Sequence, residues 1–145
     1  MENQKGFDLA QQIRLQDKVV ALADLREKEL PDTLVRSVKE SRNKLYWTKL
    51  AYVKDAGRIP MMELVTTRGH KLTAAPTTRL FTARGIKELQ EFKPQEDFVY
   101  CVLNGEVVRS KVLELNPVAP STGARIGMAE PGIIISVNEI LVIPD

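Results

Sequence analysis

Apolar and polar residues alternate in short runs along this chain, and Gly, Pro, Asn or Asp interrupts them every few positions. Side chains on a strand point to opposite faces in turn, so this pattern predicts strands and turns rather than long helices. Met61–Thr67 and the residues after Gly69 read as two strands meeting at an Arg68-Gly69 turn. Gly69 supplies the positive φ a tight hairpin needs. Pro76 lacks an N–H and should interrupt the ladder, and Leu80–Thr82 reads as a third short strand. Asp97–Leu103 sets Phe98, Tyr100 and Val102 against Val99, Cys101 and Leu103. It is apolar on both faces, as expected of a central strand. Asn104-Gly105 predicts a type I′ turn into a return strand over Glu106–Leu115.

The remaining runs are read the same way. Residues 1–12 are polar and should fray, with Phe7–Gln12 either one helical turn or an extended lead-in. Asp17–Leu22 should be the first firm strand. Asp32 is a candidate cap for a short helix over Thr33–Ser41. A twisted strand over Leu34–Val38 fits the same residues, and periodicity leaves both open. Leu45–Val53 is an aromatic-rich strand ending at an Asp55-Ala56-Gly57 turn, so Met61–Thr67 should pair back on it. Ala83-Arg84-Gly85 is a further turn, followed by a short amphipathic piece. Residues 116–131 carry Pro117, Pro120, Gly123 and Gly127 and are expected to form a long loop. Ile133–Val137 and Ile140–Ile143 are the last strand segments, with a break at Asn138-Glu139.

Several of these segments, in this order, resemble the hedgehog/intein (Hint) family of self-splicing and self-cleaving domains. Leu72–Thr82 is similar to the family's loop with a Thr-Pro-x-His-like motif. Phe92-Lys93-Pro94-Gln95-Glu96-Asp97-Phe98-Val99 is similar to its Pro-Gly-Asp-x-Val segment, with Gln95-Glu96 in place of one Gly. Ile13–Leu22 is similar to the early Gly-Asp-x-Val strand. The resemblance covers roughly the first two thirds of the chain. It implies a mostly β, single compact Hint-like domain of many short twisted strands over residues 1–145.

The resemblance also implies a chemistry: a terminal Cys or Ser attacks a peptide carbonyl, and a Thr and a His in the loop polarise that peptide and move the proton. In inteins a terminal Asn then cyclises. Such a reaction needs a nucleophile, a proton carrier and an oxyanion donor in one pocket. In this chain Ala75 stands at the loop Thr and Thr78 at the loop His, and Met1–Gly6 holds no Cys, Ser or Thr. Gly132–Asn138 is similar to the strand ending in Asn, but Glu139 follows it. Thr67 and His70 spell a second Thr-x-x-His, which most simply places His70 in solvent beside the hairpin turn. These departures lead to the expectation of an autoprocessing domain that has lost its residues for splicing. Such a domain is inactive or structural rather than an enzyme. It needs no cofactor, and its partners are host-protein segments in cis.

Composition narrows this only slightly. At 145 residues, 43% of them hydrophobic, the chain is long enough for one domain with a real core. No apolar run is long enough for a membrane helix. The single Cys101 cannot form an intrachain disulfide, which fits a reducing, cytoplasmic setting. In an apolar strand Cys101 is expected to be a buried thiol. One Cys and one His are too few for a zinc or His-based metal site. The net charge of +2 does not by itself indicate nucleic acid. The basic residues are unevenly spread, however. Arg36, Lys39, Arg42, Lys44, Lys49, Lys54 and Arg58 surround Tyr46, Trp47 and Tyr52, a mixture suited to phosphate contact and base stacking. The alternative reading is therefore a β-rich nucleic-acid-binding or virion-assembly accessory module that uses residues 36–58, with Arg36, Lys39, Arg42, Lys44, Trp47, Lys49 and Arg58 as its contacts. A structural adaptor without a ligand is the third.

Overall fold

The computed structural model of the protein describes residues 5–25, 32–38 and 44–144. The described strands are β1 (Phe7–Asp8), β2 (Gln12–Arg14), β3 (Val19–Ala21), β4 (Leu34–Val38), β5 (Leu45–Thr66) and β6 (Lys71–Ala74). They continue with β7 (Arg79–Thr82), β8 (Gly85–Glu88), β9 (Phe98–Leu103), β10 (Glu106–Met128), β11 (Ile134–Val137) and β12 (Ile140–Val142). Two single 3₁₀ turns, Leu22–Asp24 and Leu89–Glu91, are the only helical elements among the described residues. All strands join one sheet in the order β3-β2-β11-β4-β5-β6-β1-β10-β9-β12-β7-β8, closed further by β11–β12 and β5–β10 pairing. The mostly β architecture expected from the alternation is the one the chain adopts.

Local signals explain the turns. Asn104 and Gly105 take φ of 52° and 77°, and β9 and β10 pair from Leu103↔Glu106 outward. Gly69 takes φ of 88° between β5 and β6, where Thr66 N–H donates to the His70 carbonyl at 2.9 Å. β6 ends at Ala74, two residues before Pro76, as its missing N–H requires. The main core gathers fully buried Leu64, Leu72, Leu80, Leu89, Ile135 and Ile140, with Cys101 among them.

Four expectations are corrected. Leu45–Val53 and Met61–Thr67 are not a hairpin but parts of the single strand β5. Asp55 and Gly57 pair with Ala124 and Gly123 of β10, so the cross-strand ladder carries the chain straight through them. Gly57 uses its φ of 75° beside a register shift between Gly123 and Ala124, a bulge rather than a reversal. Residues 116–131 are not a long loop. β10 continues to Met128, paired with β5 from Val112↔Thr66 to Met128↔Leu50. Pro120 sits inside the register shift between Val118 and Ser121, where its missing N–H costs no ladder bond.

The third correction concerns residues 1–12, expected to fray. From Lys5 onward they are held. Phe7 is buried and pairs with both Ala124 and Ala74. Residues 1–4 lie outside the described set. The fourth is the expected first strand, which is shorter, at Val19–Ala21, and follows two others. Of the two readings left open for the stretch after Asp32, the strand is the one adopted: Leu34–Val38 is β4, paired with β5 and β11, because sheet partners on both sides outweigh a weak cap signal. Residues 39–41 lie outside the described set.

Candidate functional site

The end of β6 sets the geometry of a small cleft. Beyond Pro76 the chain turns, with Thr78 N–H donating to the Ala75 carbonyl at 2.9 Å. The 3₁₀ turn after β8 then pins this loop from outside. Leu89 N–H donates to Thr78 O at 2.7 Å and Gln90 N–H to Pro76 O at 3.0 Å. The Arg79 carbonyl accepts from Ile143 N–H at 2.8 Å, which draws the residues after β12 alongside. The N-terminal segment enters from the other side. Gly6 has φ of 147° and lies against β10, where a Cβ would come within 3.1 Å of the Ala124 carbonyl oxygen.

These segments enclose a cleft of about 20 Å³ lined by Gly6, Thr78, Arg79, Arg125, Ile143 and Pro144 among others. Both described ends of the chain therefore reach one place. Within it the Gly6 carbonyl accepts two hydrogen bonds, from Ala75 N–H at 2.9 Å and from the Thr78 hydroxyl at 3.4 Å. The first is of ordinary length and continues the β1–β6 pairing, and the second is long. Thr78 is buried, so its hydroxyl stays directed. Ala75, also buried, contributes its backbone alone. A Thr hydroxyl does not carry a proton near neutrality as an imidazole does. The described lining residues include no Cys, His, Asp or Glu. The ionisable side chains of the described lining are Lys5, Arg79 and Arg125.

Asn138 does not line this cleft. It occupies the β11–β12 turn, where Asn138 and Glu139 take φ of 51° and 65°. Its Oδ1 accepts from Gln12 N–H at 2.6 Å, and its Nδ2 donates to Gln11 Oε1 at 2.7 Å and Lys71 O at 2.9 Å. The segment that reaches the cleft is Ile143-Pro144, one hairpin later than the stretch matched to the Asn-ending strand. Sequence reading missed Ile143, Pro144 and Arg125. The apolar run leading out of Ile140 was the available signal.

Thr67 and His70 also lie elsewhere, at the β5–β6 turn. Thr67 is exposed and its N–H donates to Lys111 O at 2.9 Å. His70 is partly buried rather than solvated. Its N–H donates to Thr66 Oγ1 at 3.2 Å, and its Nδ1 atom is buried without a hydrogen-bond partner among the described residues. Cys101 is fully buried. Burial pushes its thiol up to about 12, with Arg68 pulling down and Glu139 pushing up by less. No group of three or more His, Cys, Asp or Glu side chains stands together among the described residues.

Part of the basic set shares one stretch of sheet: Arg36 pairs with Trp47 across β4 and β5, and Lys49 lies two residues further along β5. Arg36 points at Glu139, with Nη1 at 3.0 Å from Oε2 and only 13% of its side chain exposed. Burial lowers its pKa, while Glu139 raises it and Arg14 lowers it by less. Arg36 is thus an internal ion-pair residue, not a free contact for phosphate. Lys49 pairs with Asp32 at 3.0 Å. Lys44 and Trp47 are exposed. Arg58 is exposed but lies roughly 30 Å beyond Lys49 along the extended strand at about 3.3 Å per residue. Lys39 and Arg42 lie outside the described residues.

No protein-family model and no curated protein matches the chain. Solved structures do. A DnaB intein from Synechocystis sp. PCC 6803 superposes with a TM-score of 0.89 at 19% identity, over 97% of this chain and 99% of that one. The TvoVMA intein gives 0.81 at 14% identity, over 97% and 98%. The gp41-1 intein gives 0.75 at 12% identity, over 95% and 97%. The chain has the intein fold over nearly its whole length.

Proposed function

We propose that residues 1–145 work as one intein-type autoprocessing domain in which the loop chemistry is no longer complete. The observation that carries this reading is the cleft itself, where the first and last described segments meet at the Thr78 loop. A domain that acts on the peptide bonds joining it to host segments needs both ends at one site. A binding module does not. The fold shared with the inteins supports the same reading.

Within that cleft the Gly6 carbonyl keeps two donors, while Ala75 and Thr78 stand where the family places a Thr and a His. Carbonyl polarisation without a proton carrier leaves the leaving group unprotonated. The domain is then inactive, a fold retained for its structure, and its partners are host segments in cis. It needs no cofactor. A single buried thiol that stays reduced fits a cytoplasmic setting.

Fusing a test peptide to each end and following intact mass over days tests this. We expect the fusion mass to persist. A ligated peptide pair with release of the domain would overturn the inactive assignment. The alternative of nucleic-acid binding through residues 36–58 loses Arg36, largely buried against Glu139, and we do not advance it.

A further inference from the structure

A second, larger cavity lies away from the terminal cleft and shares no lining residue with it. It opens between the β7–β8 turn and the outer side of the β9–β10 ribbon. Phe92, Phe98, Val99 and Tyr100 supply apolar wall, and Arg84 and Arg109 also line it. Phe98 and Tyr100 are two residues apart on β9, so they share a face, opposite Lys111 and Arg109 of β10. Phe81 stacks behind Tyr100 with ring centroids 5.6 Å apart, which fixes that wall.

The volume is about 160 Å³. An apolar cavity of about 150 Å³ accepts one benzene ring, so this one suits a single six-membered ring. Phe98 is 39% exposed, so its ring reaches the mouth of the cavity. The charges around it are one-sided in what they leave unpaired. Lys87 and Asp97 neutralise each other at 2.8 Å, and Lys93 N–H holds the same carboxylate oxygen at 2.7 Å. Glu96 is the remaining acid in the lining. Against it stand Arg84, without an acidic partner among the described residues, and Arg109, whose guanidinium sits 5.0 Å from the Phe98 ring centre. Lys111 Nζ lies 5.8 Å from the same ring. A ring held in this cavity thus shares its lining with two guanidiniums, Arg84 and Arg109, which are suited to a carboxylate substituent.

We propose that this cavity binds an aromatic carboxylate: one ring in the cavity, its anionic group between Arg84 and Arg109. The ligand source is either a free small acid or a peptide bearing Phe next to Glu. The proposal does not depend on autoprocessing and stands if the domain proves active.

The test is a two-dimensional amide NMR titration of the full chain with 3-phenylpropionate and, separately, with its neutral amide. The acid should shift Phe98, Tyr100 and Arg109 and bind about tenfold tighter than the amide at low salt, the effect of two partly exposed charge contacts. Arg84→Gln with Arg109→Gln should remove that difference while leaving the rest of the spectrum in place. Added salt should narrow it. A third arm uses the capped peptide Glu-Phe-Glu. Binding of the acid alone assigns a small-molecule source, and binding of the peptide, with or without the acid, assigns a protein segment. Equal weak binding of acid and amide, shifts mapping elsewhere, or no shift from acid or peptide at millimolar concentration would overturn the proposal.

Discussion

Asn138 Oδ1 accepts a hydrogen bond from the Gln12 backbone N–H at 2.6 Å, across 126 positions of sequence. The return bond, Asn138 N–H to Gln12 O, is 2.8 Å. One asparagine therefore ties the β11–β12 turn to β2, and through its Nδ2 to the Lys71 carbonyl of β6. Its φ of 51° is the left-handed conformation that Asn tolerates better than other side chains. The asparagine at the end of the stretch matched to the family strand thus bridges three strand segments.

Two substitutions separate its contributions. Asn138→Gly keeps the turn and deletes three side-chain bonds, which should cost roughly 2–4 kcal/mol. Asn138→Ala deletes the same bonds and adds left-handed strain of about 1–2 kcal/mol. Denaturant unfolding of both measures the gap. Equal losses would show that the backbone conformation contributes nothing.

A glycine inside β10 carries a different constraint. Gly127 faces Tyr52 across the β5–β10 ladder, and a Cβ there would land inside the Tyr52 ring. Gly127→Ala should destabilise by about 1–3 kcal/mol through overpacking. In a Tyr52→Ala background the same change should cost much less, because contacting residues are not additive. Thermal melts of the four-member cycle give the coupling.

The same pairing shows where sequence reading stopped. The turns at Gly69 and Asn104-Gly105 were legible because positive φ has few residue types that accept it. The Asp55–Gly57 turn was misread because Gly signals a bulge and a reversal alike, and only the β10 partner distinguishes them. That partner was hidden in turn, since Pro117, Pro120, Gly123 and Gly127 made its strand look like loop. Gln95 conceals a similar position. It stands in the stretch matched to a family Gly and adopts φ of 70°. Gly6, Arg125 and Pro144 reach the Thr78 loop only through long-range pairing, which composition and spacing do not encode.

Asp97 gives a pH-dependent prediction. Burial opposes its ionisation, but the Lys87 side-chain bond and the Lys93 N–H outweigh it, with both lysine charges assisting, and its pKa is lowered. The unfolded chain then binds a proton more readily than the native one. The stabilisation is complete above the ordinary carboxylate pKa of about 3.9 and is lost as pH falls through the native value. Asp97→Asn should cost about 1–2 kcal/mol at pH 7, discounted for partial exposure. That deficit should shrink as urea midpoints are followed from pH 5 down through the acid range. A deficit constant with pH would mean that the Lys87–Asp97 ion pair is not its source.

Cys101 reports on the whole assembly. Its thiol is fully buried and pushed up to about 12, and its backbone faces Ile140 just beyond the Asn138 turn. A thiol reagent acts on the thiolate, so native labelling at pH 8 should proceed only through opening of the fold. It should be slower than in denaturant by at least about a thousandfold for an opening free energy near 4 kcal/mol. If that opening is the unfolding which Asn138 opposes, Asn138→Gly should accelerate labelling tenfold for each ~1.4 kcal/mol of stability it removes. Rapid labelling of the native protein would place Cys101 at the surface. Slow labelling unchanged by Asn138→Gly would mean that a local opening of β9, independent of the β11–β12 turn, exposes the thiol.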